Sequence, residues 1–185
     1  TARVLVFLRW GLIPSWSRKG PQGPLLINAR AETAAEKPSF RGAFRERRCL
    51  IPADGFFEWK REGNTRIPYW FFPLSGPLFA FAGLWECWQG AGPERVESCT
   101  ILTTEANERV RPFHPRMPVV LSADQQERWL DPGAHDPARL GGLLTPCPAE
   151  EVGFRQVSPR VNQVRNDDPG VLLPVPPPAP PPGRG

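Results

Sequence analysis

Glu58 stands among aromatic residues in the run CLIPADGFFEWK, from Cys49 to Lys60. A carboxylate in such company loses hydration, which raises its pKa unless a cation or a hydrogen-bond donor compensates. A group of this kind can serve as an acid, a base or a holder of an amine. Strand alternation puts Phe56, Glu58 and Lys60 on one face and Phe57 and Trp59 on the other, with Asp54-Gly55 supplying the bend ahead of them. The plainer alternative is a solvent-facing glutamate without a role. His114, one of two histidines, lies in RPFHPRMPVVL, where three prolines predict a rigid irregular loop that fixes the ring and Arg116. Asn28 and Arg30 lie in INARAET, where polar groups abruptly replace apolar ones at a strand end. Asn28 offers a donor and an acceptor, and Arg30 a fork that fits phosphate or carboxylate. A turn asparagine, a surface arginine and an exposed loop histidine are the bland readings, and the residues alone leave both sets open.

The four cysteines, Cys49, Cys87, Cys99 and Cys147, form no CxxC pair and have no histidine at ligand spacing, so free thiols and no zinc site are expected. Three of them sit in apolar strand-like runs, where cysteine acts as a small hydrophobe. None is chosen as a nucleophile. No metal and no cofactor is expected.

The elements that must position these groups begin with a chain of 185 residues, 40% hydrophobic and with seven tryptophans, enough for one domain with a real core. A domain is expected over residues 1–173 and a Pro-rich flexible tail over 174–185. No stretch matches a membrane span or a signal peptide, which predicts a cytoplasmic, monomeric protein. The net charge of +4 is compatible with a polyanionic partner without requiring one. Strands are predicted over Arg3 to Leu12, Leu25 to Ile27, the Glu58 run, Pro68 to Phe72, Leu78 to Trp88, Cys99 to Thr103 and, last, Phe154 to Asn162 with its loop. Pro38 is placed as the first residue of a helix running to Arg48, with Phe40, Ala43 and Phe44 inward and Arg41, Arg45 and Arg48 as a basic stripe. Such a stripe can follow a nucleic-acid backbone or be a solvated face. Thr103 to Val110 reads as a strand end and short helix, Asp136 to Leu144 as another helix, and Ser122 to Gln125 as a capping box opening a helix to Leu130. Together these predict an α+β fold, mostly antiparallel β, curled toward a barrel, with a few short peripheral helices.

The ordered motifs WGLIPSW, INARAET, the Arg-rich helix, CLIPADGFFEW, TTEAN and HPRMP closely resemble the SRAP family, the SOS-response-associated peptidase-like proteins that shield abasic sites in single-stranded DNA. The resemblance spans Leu8 to about Asn166. It implies a barrel-like SRAP fold with a basic channel for single-stranded DNA containing abasic sites. It also implies covalent capture, in which the α-amine and thiol of an N-terminal Cys close a thiazolidine on the ring-opened sugar. On that resemblance Asn28, Glu58 and His114 assist the chemistry: Glu58 orients the amine and takes its proton, His114 moves protons at oxygen, and Asn28 holds nucleophile and sugar without adding charge. Arg30 and Arg116 are the implied phosphate clamps, and Trp16 is the aromatic group where neighbouring bases stack or end.

Thr1 stands only nine residues before Trp10, and no residue of the sequence aligns with the family's Cys-Gly-Arg start. The expectation is a domain truncated relative to the family, the receiving half of a covalent site that does not crosslink durably by itself. Two further readings stay open. One is a non-catalytic single-stranded DNA binder. The other is a peptidase limited to self-processing, for which the sequence offers no Ser/His/Asp or Cys/His set.

Overall fold

A computed structural model describes residues 3–175 of the chain. Its strands are β1 (Arg9–Trp10), β2 (Asn28–Arg30), β3 (Arg48–Ala53), β4 (Phe56–Glu62), β5 (Thr65–Pro73), β6 (Phe79–Gln89), β7 (Arg95–Glu105), β8 (Arg116–Pro118) and β9 (Val152–Gln156). Four short helices accompany them: α1 (Ala31–Ala34), α2 (Arg41–Glu46), α3 (Ala123–Leu130) and α4 (Pro137–Gly141). The fold is α+β and mostly antiparallel, with a six-stranded curled sheet in the order β1-β7-β6-β3, β2 and β8 also on β7, and a three-stranded sheet β4-β5-β9. Two of the pairings are parallel, β1 and β2 on β7.

Two apolar clusters hold the layers together. Leu12, Phe44, Leu84, Leu102 and Trp129 are buried between the helices and the large sheet. Phe71 and Val152 of the small sheet meet Phe79, Phe81 and Met117 of the large one in the second cluster. Gly55 is required where β4 enters that second cluster, because a Cβ there would collide with the Trp70 indole and the Phe71 carbonyl. The close approach of β4 to β5 that results sets the register Glu58↔Tyr69.

Several expected elements have different bounds, each for an identifiable reason. Of Arg3 to Leu12 only Arg9–Trp10 forms a strand, since β-forming residues make a strand only where a ladder partner exists, and Val4 to Phe7 are exposed. The strand expected at Leu25 to Ile27 lies three residues later, because Asn28, Ala29 and Arg30 pair with Ile101, Leu102 and Thr103. Leu26 makes only a bridge to Leu12. Pro38 starts no helix: the N–H groups of Phe40 and Arg41 both bond to the Lys37 carbonyl in a turn ahead of α2. That helix ends before Arg48, which is drawn into β3 opposite Leu84. No α-helix forms directly after β7: Asn107 caps a single turn, accepting from the Arg109 and Val110 N–H groups on its side chain and from the Arg111 N–H on its carbonyl, and Pro112 has no N–H to continue it.

The Ser122 capping box is present and Trp129 is buried. The helix expected at Asp136 to Leu144 is the shorter α4, capped by Asp136. The last strand starts at Val152 and stops at Gln156. Pro174 still bridges to Val157, and residues 176–185 of the expected tail lie outside the described residues. Among the described residues no helix is long and apolar enough to cross a membrane.

Candidate nucleic-acid and proton-transfer site

Glu58 lies on the face of β4 that turns toward the core, beside Phe56, which stacks on Phe71. Its side chain keeps only 20% of its exposure, and Oε1 stands 3.6 Å from Nδ1 of the half-exposed His114 ring. Burial pushes the Glu58 carboxyl above the usual range, opposed by the nearby imidazole and by a hydrogen bond from the Trp59 N–H. An aromatic wall explains the dryness: Tyr69, opposite Glu58 in the ladder, meets Phe113 edge-on at 4.7 Å, and Phe113 meets Phe154 at 5.1 Å. A carboxyl of this kind takes up a proton at a higher pH than an exposed one, which suits it to proton exchange with an amine.

The loop holding His114 is fixed from its backbone. Its Nδ1 lies 3.2 Å from the Arg116 N–H and 3.0 Å from the Arg116 carbonyl, so it can accept from the first or donate to the second according to its tautomer. Nε2 makes no hydrogen bond among the described residues. The Arg116 guanidinium turns back into the protein: Nη1 and Nη2 donate to Glu32 at 2.7 and 2.9 Å, and Nη2 also donates to the Thr103 carbonyl. Thr103 pairs with Arg30 on one side and with Pro118 on the other. The INARAET, HPRMP and FFEW segments are therefore joined by contact, from β2 through Glu32 and Arg116 to His114 and Glu58. Alternation along β2 buries Ala29 and leaves Asn28 and Arg30 exposed on one face.

Trp16, Arg41 and Arg45 assemble elsewhere. They line a cavity of about 210 Å³ with Ser39, Arg47 and Glu86, and the Trp16 indole donates to the Pro38 carbonyl at 3.4 Å. The floor of that cavity is a pair the sequence did not single out. Arg47 Nε lies 2.9 Å from Oε1 of the buried Glu86, and the same carboxylate accepts from the Cys87 N–H at 3.0 Å. Arg41 and Arg45 remain exposed beside this neutralised pair.

Arg48 has a different environment. Its Nε donates to the Trp129 carbonyl at 2.6 Å, Nη2 to the Asp131 carbonyl at 2.7 Å and Nη1 to the Phe44 carbonyl at 3.1 Å, while the guanidinium lies 5.7 Å from the Trp129 ring centre. The three arginines expected as one stripe are thus two exposed cations and one that ties α2, α3 and β3 together. Arg48→Ala is expected to lower stability by about 1.5–3 kcal/mol, the scale of hydrogen bonds from a charged donor. The salt dependence of DNA binding should be unchanged by it. A denaturant midpoint and a salt titration check the two halves of that expectation.

The thiols take no part in this arrangement. Burial pushes Cys49 up to about 12 and Cys147 up to about 11, so both are protonated at neutral pH. Glu32 is the site residue that sequence reasoning missed. Its signal was its place two residues after Arg30, but its partner lies 84 positions away.

The chain matches known proteins in sequence and in fold. Residues 1–164 match the family described as SOS response associated peptidase (SRAP). The chain is 46% identical over 166 residues to the abasic site processing protein YoqW of Bacillus subtilis (strain 168), covering 89% of this chain and 74% of that protein. It is 36% identical over 197 residues to the abasic site processing protein HMCES of Gallus gallus, covering 94% of this chain and 58% of that protein. A crystal structure of a protein from Bacteroides thetaiotaomicron superposes with a TM-score of 0.83 at 32% identity, covering 91% of this chain and 75% of that one.

Proposed function

The chain belongs to the SOS response associated peptidase (SRAP) family, and from that premise we propose that it recognises and shields abasic sites in single-stranded DNA. The observation that carries this reading is the half-buried Glu58 carboxyl 3.6 Å from the His114 imidazole, joined to the Asn28–Arg30 strand through Arg116 and Glu32. A ring-opened abasic sugar presents an aldehyde. An amine attacks it only with a free lone pair, so a carboxylate that takes the amine proton and an imidazole that protonates the carbonyl oxygen are the groups the first step needs.

In the covalent form of the proposal, the nucleophile is the α-amine of the N-terminal Cys that the family resemblance implies. The nitrogen adds to the aldehyde carbon, the oxygen gains a proton from His114, and the nitrogen gives one to Glu58. Water then leaves as Glu58 returns its proton to the oxygen and the nitrogen passes its second proton to His114, giving an imine. The thiol sulfur adds to the imine carbon and its proton passes to nitrogen, which closes the thiazolidine with no oxidant or reductant. Asn28 is proposed to hold the sugar and the nucleophile by its amide. Arg30 is proposed to meet a phosphate, and Arg116 to do so where Glu32 does not occupy its fork, with Trp16 offering a ring on which a neighbouring base stacks.

The test uses fluorescent single-stranded oligonucleotides with and without one abasic site. The abasic strand should bind more tightly, and in a version carrying a Cys-Gly-Arg segment ahead of Thr1 it should give a heat-stable adduct on a denaturing gel. Equal binding of the two strands together with no adduct would refute the proposal.

A second reading, a single-stranded DNA binder without covalent chemistry, is favoured by one observation. Trp16, Arg41 and Arg45 form an exposed aromatic and basic cluster that does not include Glu58 and His114. Arg30→Ala, Arg41→Ala and Arg45→Ala are each expected to reduce the slope of log affinity against log salt by about 0.7, one phosphate contact on a single strand. A slope that does not move in any of the three would take these arginines off the DNA path.

A further inference from the structure

Glu32 opens the first turn of α1, four positions after Asn28, and its carboxylate closes on Arg116 from 84 positions away. Of the five N–H donors on that guanidinium, one on Nη1 goes to Glu32, and the two on Nη2 go to Glu32 and to Thr103. Nε is buried without a partner. A DNA phosphate therefore meets a fork already filled by a carboxylate of matching bidentate geometry. The Arg116 main chain, meanwhile, holds His114 Nδ1 through its N–H or its carbonyl according to the tautomer. Whatever fixes Arg116 fixes the imidazole that faces Glu58.

We propose that Glu32 is a positioning residue that stands in for phosphate on the Arg116 fork in the free protein and, through Arg116, holds the His114 ring against Glu58. This rests on the reading of the same site as one for single-stranded DNA. Two consequences of opposite kind follow for Glu32→Gln. A neutral amide cannot hold the fork bidentately, so Arg116 is released and gains a phosphate contact in the complex. The Arg116 backbone keeps its ladder to β7 but loses the side-chain tie to α1, and the His114 ring shifts away from Glu58. A side chain that only stabilised the fold would weaken both functions together.

The experiment measures salt titrations of an intact, unmodified single-stranded oligonucleotide on the full chain as wild type, Glu32→Gln, Glu32→Asp and Glu36→Gln. Glu36 is an exposed carboxylate close by in sequence, and its variant removes the same charge without touching Arg116. Glu32→Gln should bind more tightly at low salt with a slope steeper by about 0.7, one added contact. Glu36→Gln should keep the wild-type slope. Glu32→Asp, a methylene too short to reach both nitrogens, should fall between wild type and Gln.

In parallel, the Glu58 carboxyl is titrated by carbon-13 NMR without DNA. His114 holds the Glu58 pKa down, so withdrawal of the ring should raise the midpoint further in Glu32→Gln and leave it in place in Glu36→Gln. A Glu32→Gln slope equal to that of Glu36→Gln, or an unmoved Glu58 midpoint, would overturn the proposal. If Glu32→Gln fails to fold, Glu32→Asp carries both readouts, and wild-type values in it overturn the proposal equally. A wild-type chain with no affinity for single strands would sink the functional reading alone, since the NMR arm needs no DNA.

Discussion

Glu58→Gln is expected to slow covalent capture of an abasic single strand by about 10²-fold while making the folded protein more stable at neutral pH. The rate is read as single-turnover adduct formation in the version with the Cys-Gly-Arg segment, and His114→Ala should show a loss of the same order. Binding should change little in either, because neither side chain is proposed to contact phosphate. The stability half follows from the direction of the Glu58 shift. Burial raises its pKa in the folded state, so between its ordinary value and the raised one the native chain binds more protons than the unfolded chain. Stability therefore falls as pH rises through that window, and above it the native state carries the full cost of a desolvated carboxylate. Glutamine removes that cost above the window. Below the ordinary carboxylate range both side chains are neutral, and the two melting temperatures should converge. A variant that loses the rate but melts at the wild-type temperature at pH 7 would show that Glu58 is better solvated than its surroundings imply.

The candidate side chains stand out in the sequence because each is an anomaly in a local pattern. Glu58 interrupts an aromatic strand, His114 sits between prolines, and Asn28 follows an apolar run, so type and neighbours were enough to single them out. The strand alternation that put Glu58 with Phe56 held, as did the Ser122 capping box, since both depend on residues a few positions apart. What depends on distant partners was not legible. Nothing around Arg48 distinguishes it from Arg41 and Arg45, and only the ladder with Leu84 takes it out of the helix and onto four carbonyls. Asn28 was placed beyond a strand end because the partner that makes it a strand residue, Ile101, lies on β7. Glu32 and Arg116 are each ordinary in sequence. Their pairing, which connects β2 to the His114–Glu58 pair, arises only when β7 brings β2 and β8 to either side of Thr103.

Trp129→Ala is expected to destabilise the chain by about 3–5 kcal/mol, the range for removing a buried tryptophan. The side chain is fully buried, its ring meets Phe44 edge-on at 5.6 Å, and its indole N–H donates to the Cys49 carbonyl at 3.0 Å. Deletion leaves a cavity among Phe44, Leu84 and Leu140 and takes the indole donor from the Cys49 carbonyl. It also removes the ring beneath the Arg48 guanidinium. For a domain of this size the loss corresponds to a fall in melting temperature of about 6–20 °C. Trp129→Phe separates the contributions, since it keeps most of the volume but not the donor, and should cost about 0.5–1.5 kcal/mol through the lost bond to the Cys49 carbonyl. The salt slope of DNA binding, measured well below the melting temperature of each variant, should equal that of wild type. Arg48 donates to four main-chain carbonyls, so loosening its seat is expected to alter the fold and to leave the proposed DNA contacts intact. A slope reduced by about 0.7 in Trp129→Ala would place Arg48 on that path after all.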